Sequence, residues 1–139
     1  MSEQLQTRPR PLVLVVDDEF SARLIMRATL EESGFDVVEA DSVREAWQQF
    51  ESHKPDLLIL DVILPDGNGI KLCADIRQLP QGRNLPIAMA TGLYDEQSIQ
   101  QAYQSGATDF ITKPISWGTL GYRVRYLLRA HHAFEELAQ

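Results

Sequence analysis

Five short strand-like segments recur along the chain: Leu12–Val16, Phe35–Ala40, Leu57–Leu60, Pro86–Ala90 and Thr108–Thr112. The first and third are unbroken rather than alternating. Unbroken β-branched or leucine runs flanked by charged or turn residues predict strands buried on both faces. Between the runs the apolar spacing changes to that of helices. Residues 20–33 carry Leu24, Ile25, Ala28 and Leu30 and stop at Gly34. Ser42-Val-Arg-Glu45 has the form of a capping box and opens a helix with Ala46, Trp47 and Phe50, broken by Pro55-Asp56. A third helix is predicted from Ile70 to Leu79. A fourth runs from Asp95-Glu96 to Ser105, with Gly106 as its stop, and a last one starts near Trp117. Leu64–Gly69 is dense in turn residues and predicts a loop. Trp47, Phe50, Ile25 and Leu24 are expected in the core.

Strands alternating with helices imply right-handed crossovers. The fold class is therefore α/β: a five-stranded parallel sheet, doubly wound, with five helices covering both faces. The 139 residues suffice for one domain. We expect a disordered polar tail over 1–11, the domain over 12–130, and an extension of the last helix over 131–139, a candidate linker. Thirteen Lys and Arg face twenty Asp and Glu, a net charge of −7. That makes a poor general nucleic-acid binder, since phosphate binding rests on positive charge, though it leaves room for a small basic patch. Cys73 is the single cysteine, so no intramolecular disulfide forms. Met1–Pro11 has no signal-peptide core, and no apolar run approaches the ~20 residues of a membrane span. A soluble, cytoplasmic protein is expected, with no direct nucleic-acid or membrane partner.

Ligands of open parallel sheets bind outside the carboxyl ends of the strands. Here the first strand ends in Asp17-Asp18-Glu19, the third in Asp61, the fourth in Thr91 and the fifth in Lys113-Pro114. The second ends in Ala40-Asp41, which suits an edge. Taken singly, the acids are ordinary helix-start or turn residues, Thr91 a capping hydroxyl and Lys113 a surface lysine. Together they are restrictive. Clustered carboxylates repel unless a cation intervenes. A hard divalent ion such as Mg²⁺ takes oxygen ligands and keeps waters, so one or two carboxylates hold it. An aspartate beside such an ion can attack phosphorus, while a lysine and a hydroxyl receive phosphoryl oxygens.

These residues resemble the receiver domain of two-component response regulators, the chemotaxis-regulator family. The resemblance covers roughly residues 11–130. It rests on Val-Val-Asp17-Asp18-Glu19, Leu-Ile-Leu-Asp61-Val-Ile-Leu-Pro65-Asp66-Gly67-Asn68-Gly69, Ala-Thr91-Gly92, and Gly106-Ala-Thr-Asp-Phe110-Ile-Thr-Lys113-Pro114. It implies a flavodoxin-like strand order, 2-1-3-4-5. It also implies that Asp61 accepts a phosphoryl group from a histidine kinase or phosphotransfer protein. Asp18, Asp61 and the backbone carbonyl of Ile63 would ligate Mg²⁺, with Asp17 acting through water. Thr91 and Lys113 would bind the phosphoryl group. Thr91 and Phe110 would form the switch, and Tyr94, Phe110, Tyr122 and the start of the last helix the face that changes. The Lys113-Pro114 bond is usually cis in the family. Two features depart from the best-known members. Phe110 lacks a phenol hydroxyl, and Ile63 and Leu93 are apolar where polar groups can orient water. A long-lived phosphoryl state is expected.

Other readings fit less well. A haloacid-dehalogenase-like phosphatase needs an acid two residues after its nucleophile, and Ile63 stands there. A flavodoxin-like cofactor binder needs a phosphate loop after the first strand, where this chain has acids. Asp66-Gly-Asn-Gly69 fails the spacing of a calcium loop. A degenerate receiver, an unphosphorylated binding module, is the alternative. No catalysis beyond self-phosphorylation and self-dephosphorylation is expected. His53, His131 and His132 lack metal spacing, and Cys73 reads as a packed residue. Along the last helix, Leu120, Val124, Leu127, His131, Phe134 and Ala138 form one stripe and Ala130, Phe134 and Leu137 another. A helix that outruns its domain suggests a linker in a longer protein, or pairing of two subunits. The segment from Lys113 to Ala130 has a weaker likeness to receivers attached to cyclic-di-GMP cyclase or phosphodiesterase domains. An output domain or effector is therefore an expected partner.

Overall fold

The computed structural model describes residues 8–93 and 95–137. The elements are β1 (Leu12–Val16), α1 (Phe20–Glu32), β2 (Asp36–Ala40), α2 (Val43–His53), β3 (Leu57–Leu60), β4 (Ile63–Leu64), β5 (Gly67–Asn68), α3 (Gly69–Arg77), β6 (Ile87–Thr91), α4 (Glu96–Gln104), β7 (Asp109–Thr112) and α5 (Trp117–Leu137). The main sheet has the order β2-β1-β3-β6-β7, all parallel. That is the expected 2-1-3-4-5 order once the small β4–β5 hairpin is set aside. β2 lies at the edge.

The pleat of β1 divides the core in two. Leu14 and Val16 pack with Phe50 of α2, Leu72 and Ile76 of α3 and Ala102 of α4. Val13 and Val15 pack with Met26 and Leu30 of α1 and Leu120, Val124 and Leu127 of α5. Two layers of helices thus bury the sheet on both sides, which is why its strands lack polar alternation.

Several expectations are corrected. Leu24 and Ile25 are not core residues; they are 54% and 45% exposed. The inward stripe of α1 is Met26 and Leu30, four apart, and this register turns Leu24 and Ile25 outward. Ala28 is exposed as well. Phe50 is buried, with Trp47 half-buried edge-on against it. The predicted loop 64–69 contains part of an antiparallel hairpin, Ile63 pairing Asn68 and Leu64 pairing Gly67. α3 ends at Arg77, since Leu79 is extended before Pro80. The chain is tied to the domain before residue 12. Arg8 pairs with Asp56 at 2.9 Å, and Arg10 donates to Glu31 O and Phe35 O. Residues 1–7 and 138–139, including Ala138 of the helix stripe, lie outside the described residues.

α5 continues past residue 130. Its buried side chains end at Leu128, while Phe134 is 51% and Leu137 88% exposed. No helix among the described residues is long and apolar enough to cross a membrane.

Candidate phosphoryl-acceptor site

Parallel pairing brings the strand ends to one edge of the sheet. The Asp17 N–H donates to Ala40 O at 3.0 Å, the Asp61 N–H to Val16 O at 2.9 Å, and the Lys113 N–H to Thr91 O at 2.9 Å. The backbone therefore continues its ladder up to each functional residue. Their positions are inherited from the sheet.

Asp17 is buried, at 2% exposure, and its Oδ1 accepts the Glu19 N–H at 2.9 Å. Asp18 is exposed. Carboxylate oxygens of Asp17, Asp18 and Asp61 lie within 4.8 Å of one another. Lys113 reaches into this group, with Nζ 2.6 Å from Asp17 Oδ2 and 3.0 Å from Asp61 Oδ2. Burial alone would lower the pKa of this ammonium. Hydrogen bonds and charge from Asp17 and Asp61 outweigh burial and hold it above the ordinary lysine value. Three carboxylates still face one ammonium, so negative charge remains. An all-oxygen donor set with excess negative charge suits a hard divalent cation.

Asp61 begins a tight loop. Its Oδ1 accepts the Ile63 N–H at 3.3 Å, and the Gly69 N–H donates to Val62 O at 2.8 Å. A Cβ on Gly69 would collide with the Asp61 carbonyl, so the start of α3 can pass beneath Asp61 only as glycine. The Ile63 side chain is exposed beside the acids.

Thr91 is buried at the end of β6, and its Oγ1 accepts the Leu93 N–H at 3.2 Å. The hydroxyl hydrogen stays available to an incoming acceptor. Phe110 is buried on β7 in the core shared with α4. The Lys113–Pro114 bond is cis. Tyr122 is exposed, whereas Tyr94 lies outside the described residues. Sequence reading missed the placement of Asp66, which it took as a turn residue. The Asp66 carboxylate accepts the Val43 and Arg44 N–H groups at the start of α2, and these backbone bonds hold it below the usual carboxylate range.

The family model described as the response regulator receiver domain matches residues 13–125, which takes in the main sheet from Val13 onward and all the site residues above. The chain belongs to the response regulator receiver domain family. This receiver is 41% identical over 117 residues to the alkaline phosphatase synthesis transcriptional regulatory protein PhoP of Bacillus subtilis, covering 84% of this chain and 48% of that one. It is 37% identical over 121 residues to the KDP operon transcriptional regulatory protein KdpE of Escherichia coli, covering 87% and 52%. The chain thus spans about half the length of these curated relatives. Among solved structures it resembles a two-component response regulator from Clostridium difficile, with TM-score 0.81, 32% identity and coverage of 86% and 97%. It also resembles the chemotaxis response regulator CheY4 of Vibrio cholerae, with TM-score 0.80, 30% identity and coverage of 85% and 98%. Receiver domains are phosphorylated by histidine kinases, bind Mg²⁺ through acidic residues and act on output effectors. The acidic cluster needed for this is present here.

Proposed function

We propose that Asp61 is the phosphoryl acceptor of this receiver. The observation that carries the reading is Lys113 Nζ held between Asp17 and Asp61 inside the cluster of three acids. An oxygen of Asp61 attacks phosphorus; the bond from phosphorus to the donor's imidazole nitrogen, or to acetate oxygen in acetyl phosphate, breaks and the donor keeps the electron pair. Lys113 turns from its two carboxylates to the transferred oxygens, and Thr91 donates its hydroxyl to one of them. Asp17, Asp18, Asp61 and the Ile63 carbonyl are the groups that would hold Mg²⁺. The ion supplies neutralisation of charge on the phosphoryl oxygens. Phe110, packed against the α4 side, is the aromatic that reports the state of Thr91.

A histidine kinase or phosphotransfer protein is the donor we assign, in a cytoplasmic setting. The printed names of PhoP and KdpE support a transcriptional output. The exposed Ala130, Phe134 and Leu137 of α5 support pairing of two copies, which light scattering with and without a phosphoryl analogue tests. We assign no catalysis on any other substrate.

The deciding experiment is intact mass after incubation with acetyl phosphate and Mg²⁺. Wild type is compared with Asp61→Asn and with an EDTA control. The expected result is a gain of about 80 Da, one phosphoryl group, in wild type with Mg²⁺ only. No gain where a known receiver is labelled overturns the reading in favour of an unphosphorylated binding module.

A further inference from the structure

Asp66 sits at the tip of the β4–β5 hairpin, in the segment that joins the acceptor Asp61 to α3. A helix leaves its first N–H groups without partners inside the helix. In α2 they are divided between two sources. Ser42, the local cap, accepts the Glu45 N–H at 3.1 Å. Asp66 accepts the two preceding donors, Val43 N–H at 2.8 Å and Arg44 N–H at 3.0 Å. The carboxylate also meets the positive end of the helix. Among the described residues, no other side-chain hydrogen bond joins residues 61–69 to α2. Asp61 itself bonds to Val16 O and to Lys113, and the remaining bonds of this segment stay within it or run to α3: Ile63 to Asn68 pairing, Gly69 N–H to Val62 O, and Asn68 capping Lys71.

We propose that Asp66 is a positioning residue for the acidic site. It pins the hairpin to α2, and the hairpin fixes the Ile63 peptide beside Asp61. The inference rests on the reading of the acidic cluster as a Mg²⁺ site. A plain helix cap would stabilise α2 alone. A pin also sets metal affinity, because an outer group that orients a ligand segment is worth ~10-fold or more in binding. Ser42 caps α2 from the helix's own start, and among the described residues its side chain makes no hydrogen bond to the hairpin, so the two roles separate by mutation.

The test is calorimetric titration of Mg²⁺ alone into wild type, Asp66→Ala, Asp66→Asn and Ser42→Ala. Asp66→Ala is expected to weaken Mg²⁺ binding ~10-fold, and Asp66→Asn less, since its carboxamide oxygen still accepts a donor. Ser42→Ala strips α2 of its local cap and is expected to lower thermal stability without changing Mg²⁺ affinity. Raising Mg²⁺ is expected to recover the acetyl phosphate labelling that Asp66→Ala loses at limiting Mg²⁺. Unchanged affinity in either Asp66 variant, or an equal loss in Ser42→Ala, overturns the proposal and leaves Asp66 a helix cap. Should Asp66→Ala not fold, Asp66→Asn decides. Wild type that binds no Mg²⁺ overturns the site reading itself, and the inference with it.

Discussion

Lys113 and Asp61, separated by 52 residues of chain, meet in an ion pair with Nζ 3.0 Å from Oδ2. The same ammonium lies 2.6 Å from Asp17. The lysine is thus the counter-charge of the cluster before any phosphoryl group arrives. Replacing it with Met leaves buried Asp17 without its partner, at a cost of roughly 2 kcal/mol at neutral pH. Its pKa is raised on folding, so the stability it adds is complete below the ordinary lysine value of 10.5 and is lost as pH rises through the higher folded value. Urea denaturation across alkaline pH is expected to show this decline in wild type. The difference between wild type and Lys113→Met is expected to shrink over the same range. A difference that stays constant would remove Lys113 from the account of alkaline stability.

Asp18 is the exposed member of the acid cluster, and its side chain has no hydrogen bond or ion pair among the described residues. Its charge therefore adds repulsion with little compensation. Asp18→Asn is expected to stabilise the metal-free protein slightly, by about 0.5–1 kcal/mol. Wild type is expected to melt at higher temperature as Mg²⁺ is added, and Asp18→Asn to gain much less. Thermal melts with EDTA and with Mg²⁺ read both effects.

Gly69 passes so close to the Asp61 carbonyl that a methyl group there meets backbone. Backbone cannot step aside as a flexible side chain can. Gly69→Ala is expected to cost ~3 kcal/mol or more and to abolish labelling of Asp61. By contrast, Gly118→Ala has open space around the added methyl and is expected to be tolerated. Denaturation curves of the two variants, run side by side, test the difference.

Ile63 and Leu93 place exposed apolar side chains two residues beyond Asp61 and Thr91. Neither can accept a proton from attacking water. A phosphoryl half-life of minutes or longer is expected for the isolated receiver. Ile63→Glu is expected to shorten it several-fold. Decay of the phosphorylated mass after removal of the donor measures this, and a wild-type half-life of seconds would contradict it.

The site was legible because each functional residue follows directly on a buried strand. Val16 precedes Asp17, Leu60 precedes Asp61, Thr91 closes β6, and Lys113 follows β7. An apolar run that stops at a charged or hydroxyl residue marks a strand end, and parallel pairing places such ends together. The register of α1 was not legible. Leu24, Ile25, Met26 and Leu30 offer more than one apolar stripe, and only the sheet surface selects Met26 and Leu30.

Long-range polar bonds were hidden as well. Arg77 closes α3 by donating to Gly82, Leu85 and Gly106 carbonyls and to Thr108 Oγ1. Nothing in its neighbourhood in sequence announces those acceptors, and burial without a carboxylate partner lowers its pKa.

Residue order along the chain was enough to set the strand-and-helix alternation, the parallel sheet and the acids, hydroxyl and amine at the strand ends, because burial periodicity and strand termination are local properties. The tertiary structure alone decided which face of α1 is buried and that Asp66 caps α2. It also alone set Lys113 between two particular carboxylates. Those outcomes depend on which surfaces meet once the sheet has formed, and that geometry is written in no single segment.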